Sequence, residues 1–371
     1  MAVNLEGRID IDLTPRVGVS TAVIRSSRPR LAQKLMAGCT PEEAAQRAGL
    51  IFSLCGKAQR VAAEAACEAA QNVIRSAEVF ASREQRVLIE LAQEHAWHLL
   101  LNWPQLFGRQ ADMPSLLDLR KTATDPALFA DQLDVLLSRV ILGEPANEWL
   151  ARDLAAFDVW RKQAATLPAA LFSTWGDGVD YGLSRTPLLP PLTQWEAVQC
   201  AALAEHALSN EAFCGQPEWQ GGAAETGAVA RMQGHAVLAA WIAQRGRGAG
   251  ARVLARLLEL AEIPQRLRFG GNAVVKVQGL GDNVGMSAIE TSRGLLIHVV
   301  RLGANGVADE GGNKVADYRI VAPTEWNFHP TGSLLDALAD VAPGDDVLAR
   351  AQAICQSLDP CVSFAIEVSH A

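Results

Sequence analysis

The sequence predicts an α+β protein, a central helical bundle with small peripheral β elements. Three observations predict it. Apolar and polar residues alternate between Ile9 and Leu13, helical periodicity dominates from about residue 40 to residue 262, and strand-like runs with glycine-rich connections appear beyond Pro264. A length of 371 residues suffices for a sizeable core, and 49% hydrophobic with 20% charged residues is the balance of an ordinary soluble globular chain.

The first element is the alternation of Ile9, Ile11 and Leu13, which Pro15 breaks and Val17, Val19 and Val23 resume. It predicts a half-buried hairpin and an amino-terminal β element over residues 1–28. Thr40-Pro41-Glu42-Glu43 then forms a capping box with proline at the first helical position, and the apolar stripe Ala44, Ala45, Ala48, Ile51, Phe52 ends on Cys55. Gly56 suits a left-handed turn or a close backbone approach, and an alanine-rich helix follows. Residues 29–262 read as mainly helical, with breaks at Pro104, Pro114, the stretch from Pro187 to Pro191, and the GRGAG run at 246–250. In residues 263–371, Leu295–Leu302 and Tyr318–Val321 are strand candidates that pair as a hairpin around an Asn305-Gly306 turn. A last helix from about Asp345 to Ser357 stops at Asp359-Pro360, carrying the chain to Cys361. The three stretches are expected to form one unit over 1–371.

Lys plus Arg number 33 against 41 for Asp plus Glu, a net charge of −8 that argues against tracking a phosphate backbone. The opening MAVNLEGRIDID has no basic stretch followed by an apolar one, and no apolar run approaches the ~18 residues of a membrane span. Neither nucleic acid nor membrane is therefore expected as a partner, and the cytoplasm is the expected compartment. Seven scattered cysteines without a CxxC pair exclude zinc fingers and thioredoxin-like motifs, so metal ligands would have to come from distant positions.

Cys55 at a helix junction and Cys361 after a helix-breaking Asp-Pro could together bind a thiophilic metal fragment if those two segments meet. Taken alone, each reads first as a small buried hydrophobe. His95 and His98 form an HxxH on a helix without a third ligand at diagnostic spacing, which favours core or interface histidines. Arg293-Gly294 stands at the mouth of a predicted strand, where the guanidinium could hold an anion or make a salt bridge with Glu290 or Glu6. There is no Walker loop, GxGxxG, GxSxG or HExxH.

Taken in order, these segments resemble the large subunit of nickel-iron hydrogenases. Leu5-Glu6-Gly7-Arg8-Ile9 resembles the family's R-[IV]-E-G-H-[LI] strand, and His95-Ala96-Trp97-His98 its H-x-x-H-F-Y helix. Glu290 to His298 resembles E-A-P-R-G-x-L-x-H, and Tyr318 to Asn327 resembles Y-x-x-V-V-P-T-T-W-N. In that family C-G-x-C and D-P-C-x-x-C supply four thiolates to a nickel-iron centre. Here the two motifs read Cys55-Gly56-Lys57-Ala58 and Asp359-Pro360-Cys361-Val362-Ser363-Phe364, so each has lost its second, bridging cysteine. Ala62 and Glu367 stand in the histidine slots that follow.

A shortened large-subunit-like chain with one cysteine of each pair resembles the hydrogenase expression or formation proteins of the HupK/HoxV type. The resemblance implies a nickel-iron large-subunit-like fold, no catalytic residues, and a role as accessory scaffold or chaperone in hydrogenase maturation. It implies that Cys55 and Cys361 hold an iron fragment with carbon monoxide and cyanide ligands before transfer, with nickel not expected. Arg293, Thr324, Pro323 and Glu6 are the implied cofactor-binding residues. The implied partners are the maturation proteins that assemble or carry the iron fragment, and the hydrogenase large subunit. Two alternatives stand beside this: a metal-free pseudo-subunit that binds maturation proteins, or a divergent nickel-iron hydrogenase large subunit.

Overall fold

The computed structural model describes residues 7–369 apart from residue 179 and residues 304–313. Strands β1 (Arg8–Thr14) and β2 (Thr21–Ser26) form the antiparallel amino-terminal hairpin, with Ile9, Ile11 and Leu13 turned inward and buried. Val17 and Val19 differ from expectation. They lie in the connection and are exposed, because Pro15 and Gly18 break the extended run and the second arm begins only at Thr21.

The capping box forms as read: the Thr40 hydroxyl accepts from the Glu43 N–H, the Glu43 carboxylate accepts from the Thr40 N–H, and the helix Pro41–Ile51 follows. The helical core lies largely between residues 56 and 269. Its two longest helices, Ala77–Trp97 and Ala249–Phe269, pack together in the largest hydrophobic cluster, with Leu91, Ala92, Leu254 and Leu258 among the buried residues. The second of these runs through Pro264 to Phe269, past the point where the sequence placed its end. Proline inside a helix costs about 3 kcal/mol, but nearly every side chain from Ala249 to Ala261 is buried, and that packing outweighs the lost backbone bond. Gly246, with φ +90°, supplies the break before it.

Beyond Gly270 the chain forms four strands where the sequence suggested two. β3 (Val275–Gly281), β4 (Val284–Thr291), β5 (Gly294–Leu302) and β6 (Val315–Val321) make an antiparallel meander in that order. The β3–β4 turn is made by Asp282 and Asn283, both left-handed, a hairpin signal carried without the usual Asn-Gly. β4 is buried along its whole length, so no two-residue alternation advertised it. The β5–β6 pairing matches the expected hairpin, while Asn305-Gly306 lies outside the described residues.

The alanine-rich helix Gly56–Ala70 lies on this meander, with the Ser287 hydroxyl donating to the Ala62 carbonyl at 2.7 Å. The approach is so close that a Cβ on Gly285 would sit 2.2 Å from the Ala66 carbonyl oxygen. This contact explains the alanine run and aims the amino-terminal end of the helix, where Cys55 sits, at the β4–β5 turn. The carboxyl-terminal helix Val347–Leu358 ends at Asp359, and β7 (Ser363–Val368) then pairs in parallel with β1 to complete a second sheet of order β2-β1-β7. Cys361 therefore sits in the short connection between helix and strand rather than on the last helix, and β7 was not anticipated. Among the described residues no helix is long and apolar enough to cross a membrane.

Candidate functional site

Cys55 immediately precedes the helix Gly56–Ala70, whose first turn is capped from outside. The Glu90 carboxylate, on the neighbouring helix Ala77–Trp97, accepts from the backbone N–H groups of Lys57 and Ala58, each at 2.9 Å. A Cβ on Gly56 would meet the Gly49 carbonyl oxygen at 2.6 Å, so the glycine beside the thiol serves a close backbone approach.

Behind the thiol a buried chain of polar groups runs into the sheet. The Gln59 side-chain nitrogen lies 3.6 Å from Cys55 Sγ, its oxygen is 2.8 Å from His298 Nε2, and His298 Nδ1 is 2.7 Å from the Tyr318 hydroxyl. The amide oxygen can only accept, so His298 carries its proton on Nε2 and accepts from Tyr318. Burial pushes the Cys55 thiol up to about 12, with Cys361 and Glu90 adding to the rise and Arg293 and Gln59 opposing it.

Cys361 is held by the helix Pro323–Asn327. The Thr324 hydroxyl donates to its Sγ at 3.1 Å and accepts from its backbone N–H at 3.0 Å. Pro323 occupies the first position of that helix and is buried. Asn327 ties the parts together: its oxygen accepts from the Thr226 N–H at 2.9 Å, and its amide reaches the carbonyls of Arg293 and Leu358 at 3.3 and 3.5 Å.

Arg293 stands in the β4–β5 turn between the two cysteines' supports. Its guanidinium pairs with Glu94 at 2.8 Å and Asp359 at 3.4 Å. These replace the partners expected from sequence: Glu290 instead pairs with Arg231 at 2.8 Å, and Glu6 lies outside the described residues. Arg293 Nη1 is buried without a hydrogen-bond partner among the described residues, so it keeps a donor to offer. Burial works against its charge, but Asp359, Glu94, Cys55 and Cys361 outweigh burial and hold it firmly protonated. Burial likewise works to raise the Asp359 carboxyl, yet Arg293, His98 and Arg256 hold it well below the usual carboxylate range.

The two histidines of the HxxH diverge. His95 Nε2 is 2.8 Å from Glu259, which also binds Arg231, whereas His98 Nε2 is 2.9 Å from Asp359. Both are core residues, with His98 buttressing the Asp-Pro-Cys corner. Among the described residues no three His, Cys, Asp or Glu side chains converge as a metal-binding group.

The structure thus brings Cys55, Cys361, Arg293 and Thr324 to one place, with Pro323 beside them. Sequence reasoning missed Arg28, Gln59, Glu90 and Glu94 and read Asp359 only as a helix terminator. Arg28, just beyond β2, pairs with Glu325 at 2.6 Å. Burial opposes its charge, but Cys361, Glu325 and Cys55 together hold the guanidinium above its ordinary value. The two half-buried thiols therefore share a site with two guanidinium groups.

Comparison with known proteins places the chain in a family. No protein-family model matches the chain. Hydrogenase expression/formation protein HoxV of Cupriavidus necator is 30% identical over 393 residues, covering 99% of this chain and 96% of the relative. Hydrogenase expression/formation protein HupK of Rhizobium leguminosarum bv. viciae is 31% identical over 376 residues, covering 98% and 97%. Among solved structures, the Ni-Fe-Se hydrogenase of D. vulgaris Hildenborough superposes with a TM-score of 0.57 at 16% identity, over 93% of this chain and 94% of that one. The Ni-Fe-Se hydrogenase of Desulfomicrobium baculatum gives 0.58 at 16% identity, over 94% and 95%. The fold is that of the nickel-iron hydrogenase large subunit, and the chain belongs to the family of hydrogenase expression/formation proteins that includes HoxV and HupK.

Proposed function

We propose that this protein is a non-catalytic accessory scaffold in the formation of nickel-iron hydrogenase, holding an iron fragment with carbon monoxide and cyanide ligands between Cys55 and Cys361. The observation that carries the reading is the pairing of these two distant thiols beside Arg293, whose Nη1 is free to donate. Soft thiolates suit low-valent iron, and a guanidinium suits a cyanide nitrogen. The positions that hold bridging cysteines in the enzymes are filled here by buried Ala58 and by Phe364, which packs against the Ile9–Leu13 cluster. Without bridging thiolates a second metal has no link to the first, so hydrogen turnover and nickel binding are not expected. A two-thiolate hold is also weaker than a four-thiolate one, which favours release to the large subunit. Maturation proteins that assemble or carry the iron fragment would load the site, in the cytoplasm.

Infrared spectroscopy of anaerobically purified protein tests this reading, because bound carbon monoxide and cyanide absorb where polypeptide does not. Bands should be present, and Cys55→Ser or Cys361→Ser should each abolish most of their intensity. Cys67→Ser, in a separate buried cluster, should lower stability and leave the bands. Equal bands in all three variants, or none in the native protein, would favour a metal-free pseudo-subunit, and robust hydrogen oxidation would favour a catalytic one.

A further inference from the structure

Arg28 lies outside every motif that the resemblance supplies, and Glu325, its partner, stands where the related P-T-T-W pattern has a second threonine. The departure has a structural counterpart. Thr324 is bonded to Cys361, and the next residue, Glu325, accepts from Arg28 Nη1 at 2.6 Å, so one short helix fixes both a thiol and a cation. Both members of the ion pair are only 15% exposed. The backbone of Arg28 is fixed as well: a Cβ on Gly7 would lie 2.6 Å from its Cα, leaving no room between β1 and this segment. Only Nη1 of the guanidinium is spent on Glu325; Nε and Nη2 have no hydrogen-bond partner among the described residues.

We infer that Arg28 is a second anion-binding residue of the thiol pair, so that the site selects a soft-metal fragment carrying anionic ligands over a neutral or cationic one. The inference rests on Cys55 and Cys361 being the holding pair, and it adds the charge of what they hold. Charge counting supports it: iron(II) with two cyanides and two thiolates carries a net charge of minus two. Arg293, shared between Glu94 and Asp359, keeps Nη1 to offer that charge, and Arg28, shared with Glu325 through Nη1, adds Nε and Nη2. The raised pKa of Arg28, to which Cys361 and Cys55 both contribute, agrees with a guanidinium within electrostatic reach of both sulfurs. Arginine also fits the task better than lysine would, since its planar fork can serve Glu325 and a ligand at once.

Anion selection can be read without any metal. Five of the seven cysteines are buried and only Cys55 and Cys361 are partly exposed, so alkylation of the native fold reports on this site. The probes are iodoacetate, an anion, and iodoacetamide, its neutral analogue; in each the thiolate displaces iodide, and peptide mass analysis gives the rate at Cys361. Arg28→Gln should lower the iodoacetate-to-iodoacetamide rate ratio roughly fivefold, the effect of losing one nearby charge. Arg28→Lys should keep most of the ratio, and Glu325→Gln, which breaks the ion pair but leaves the cation, should keep or raise it. An unchanged ratio in Arg28→Gln, or an equal fall in Arg28→Gln and Glu325→Gln alongside equal losses of melting temperature, would overturn the inference and leave Arg28 a structural residue. Missing infrared bands in the native protein would count against the iron-fragment reading alone, since the alkylation ratio needs no iron.

Discussion

Thr324 and Cys361 are bonded to each other twice, hydroxyl to sulfur at 3.1 Å and backbone N–H to hydroxyl at 3.0 Å. The threonine expected from the family resemblance to face a diatomic ligand is thus engaged with the thiol itself, and its first task is to fix the Cys361 corner. Thr324→Val, which matches the shape and removes the hydroxyl, leaves the Cys361 N–H without its acceptor. The expected cost is about 1–2 kcal/mol of stability together with loss of iron retention, while Thr324→Ser should restore both. Denaturant unfolding and infrared intensity on the same samples check this.

Glu90 makes no direct bond to Cys55 but caps the helix that begins beside it. Glu90→Ala strips two backbone donors of their acceptor and should cost about 1–2 kcal/mol. Faster alkylation of Cys55 with Cys361 unchanged is expected, since Glu90 both caps the helix beside the thiol and helps to raise its pKa, and Glu90→Gln, which keeps an acceptor without the charge, separates the two effects. If both thiols kept their native rates, the cap would be a matter of stability only.

For Arg293 the observed partners alter the expected outcome of substitution. Arg293→Leu leaves Glu94 and the buried Asp359 without their main cation, so a loss of about 3–5 kcal/mol should accompany the loss of bound fragment. Arg293→Lys keeps the charge and loses the planar fork, so the cyanide bands should shift while most occupancy survives. Unshifted bands in the lysine variant would show that Arg293 serves only the Asp359 corner.

Two buried histidines make the fold acid-sensitive. Burial lowers His95 to about 4 and His298 to about 3, so both are neutral in the folded chain near neutral pH. An unfolded histidine titrates near 6.5, so between these values the unfolded state binds more protons and stability falls as pH falls. Each group contributes up to about 1.4 kcal/mol per pH unit across its window. The contribution is fully present above about pH 6.5 and mostly lost by about pH 4. Melting temperatures at about pH 7.5 and about pH 5 should differ clearly, and His298→Gln should flatten the profile. A flat native profile would mean that these imidazoles exchange freely with water.

Much of this arrangement could be read from residues. The capping box at Thr40, the break at Gly246 and the β5–β6 pairing announced themselves through local chemistry that tertiary contacts did not override. β4 did not, because a strand buried on both faces loses its alternation, and β7 did not, because its partner lies at the far end of the chain. The site divided in the same way. Cys55, Arg293, Thr324 and Cys361 sit in short motifs with recognisable spacing, whereas Arg28, Glu90 and Glu94 act only through three-dimensional placement. A carboxylate that caps a helix from a neighbouring one has no sequence signature.

Among the described residues β7 is an edge strand, paired with β1 alone and only partly buried, yet it follows directly on the corner that presents Cys361. Cys55 belongs to the opposite kind of environment, a helix pressed onto a sheet that is buried along most of β4 and β5. The two thiols therefore rest on supports of unequal stiffness. Peeling one peripheral strand would free the chain just after Cys361 and leave that sulfur held by Thr324 and the Asp359 corner, at a cost below that of global unfolding. Amide hydrogen exchange should register this asymmetry as faster exchange in β7 than in β5, and equal protection in the two strands would rule it out.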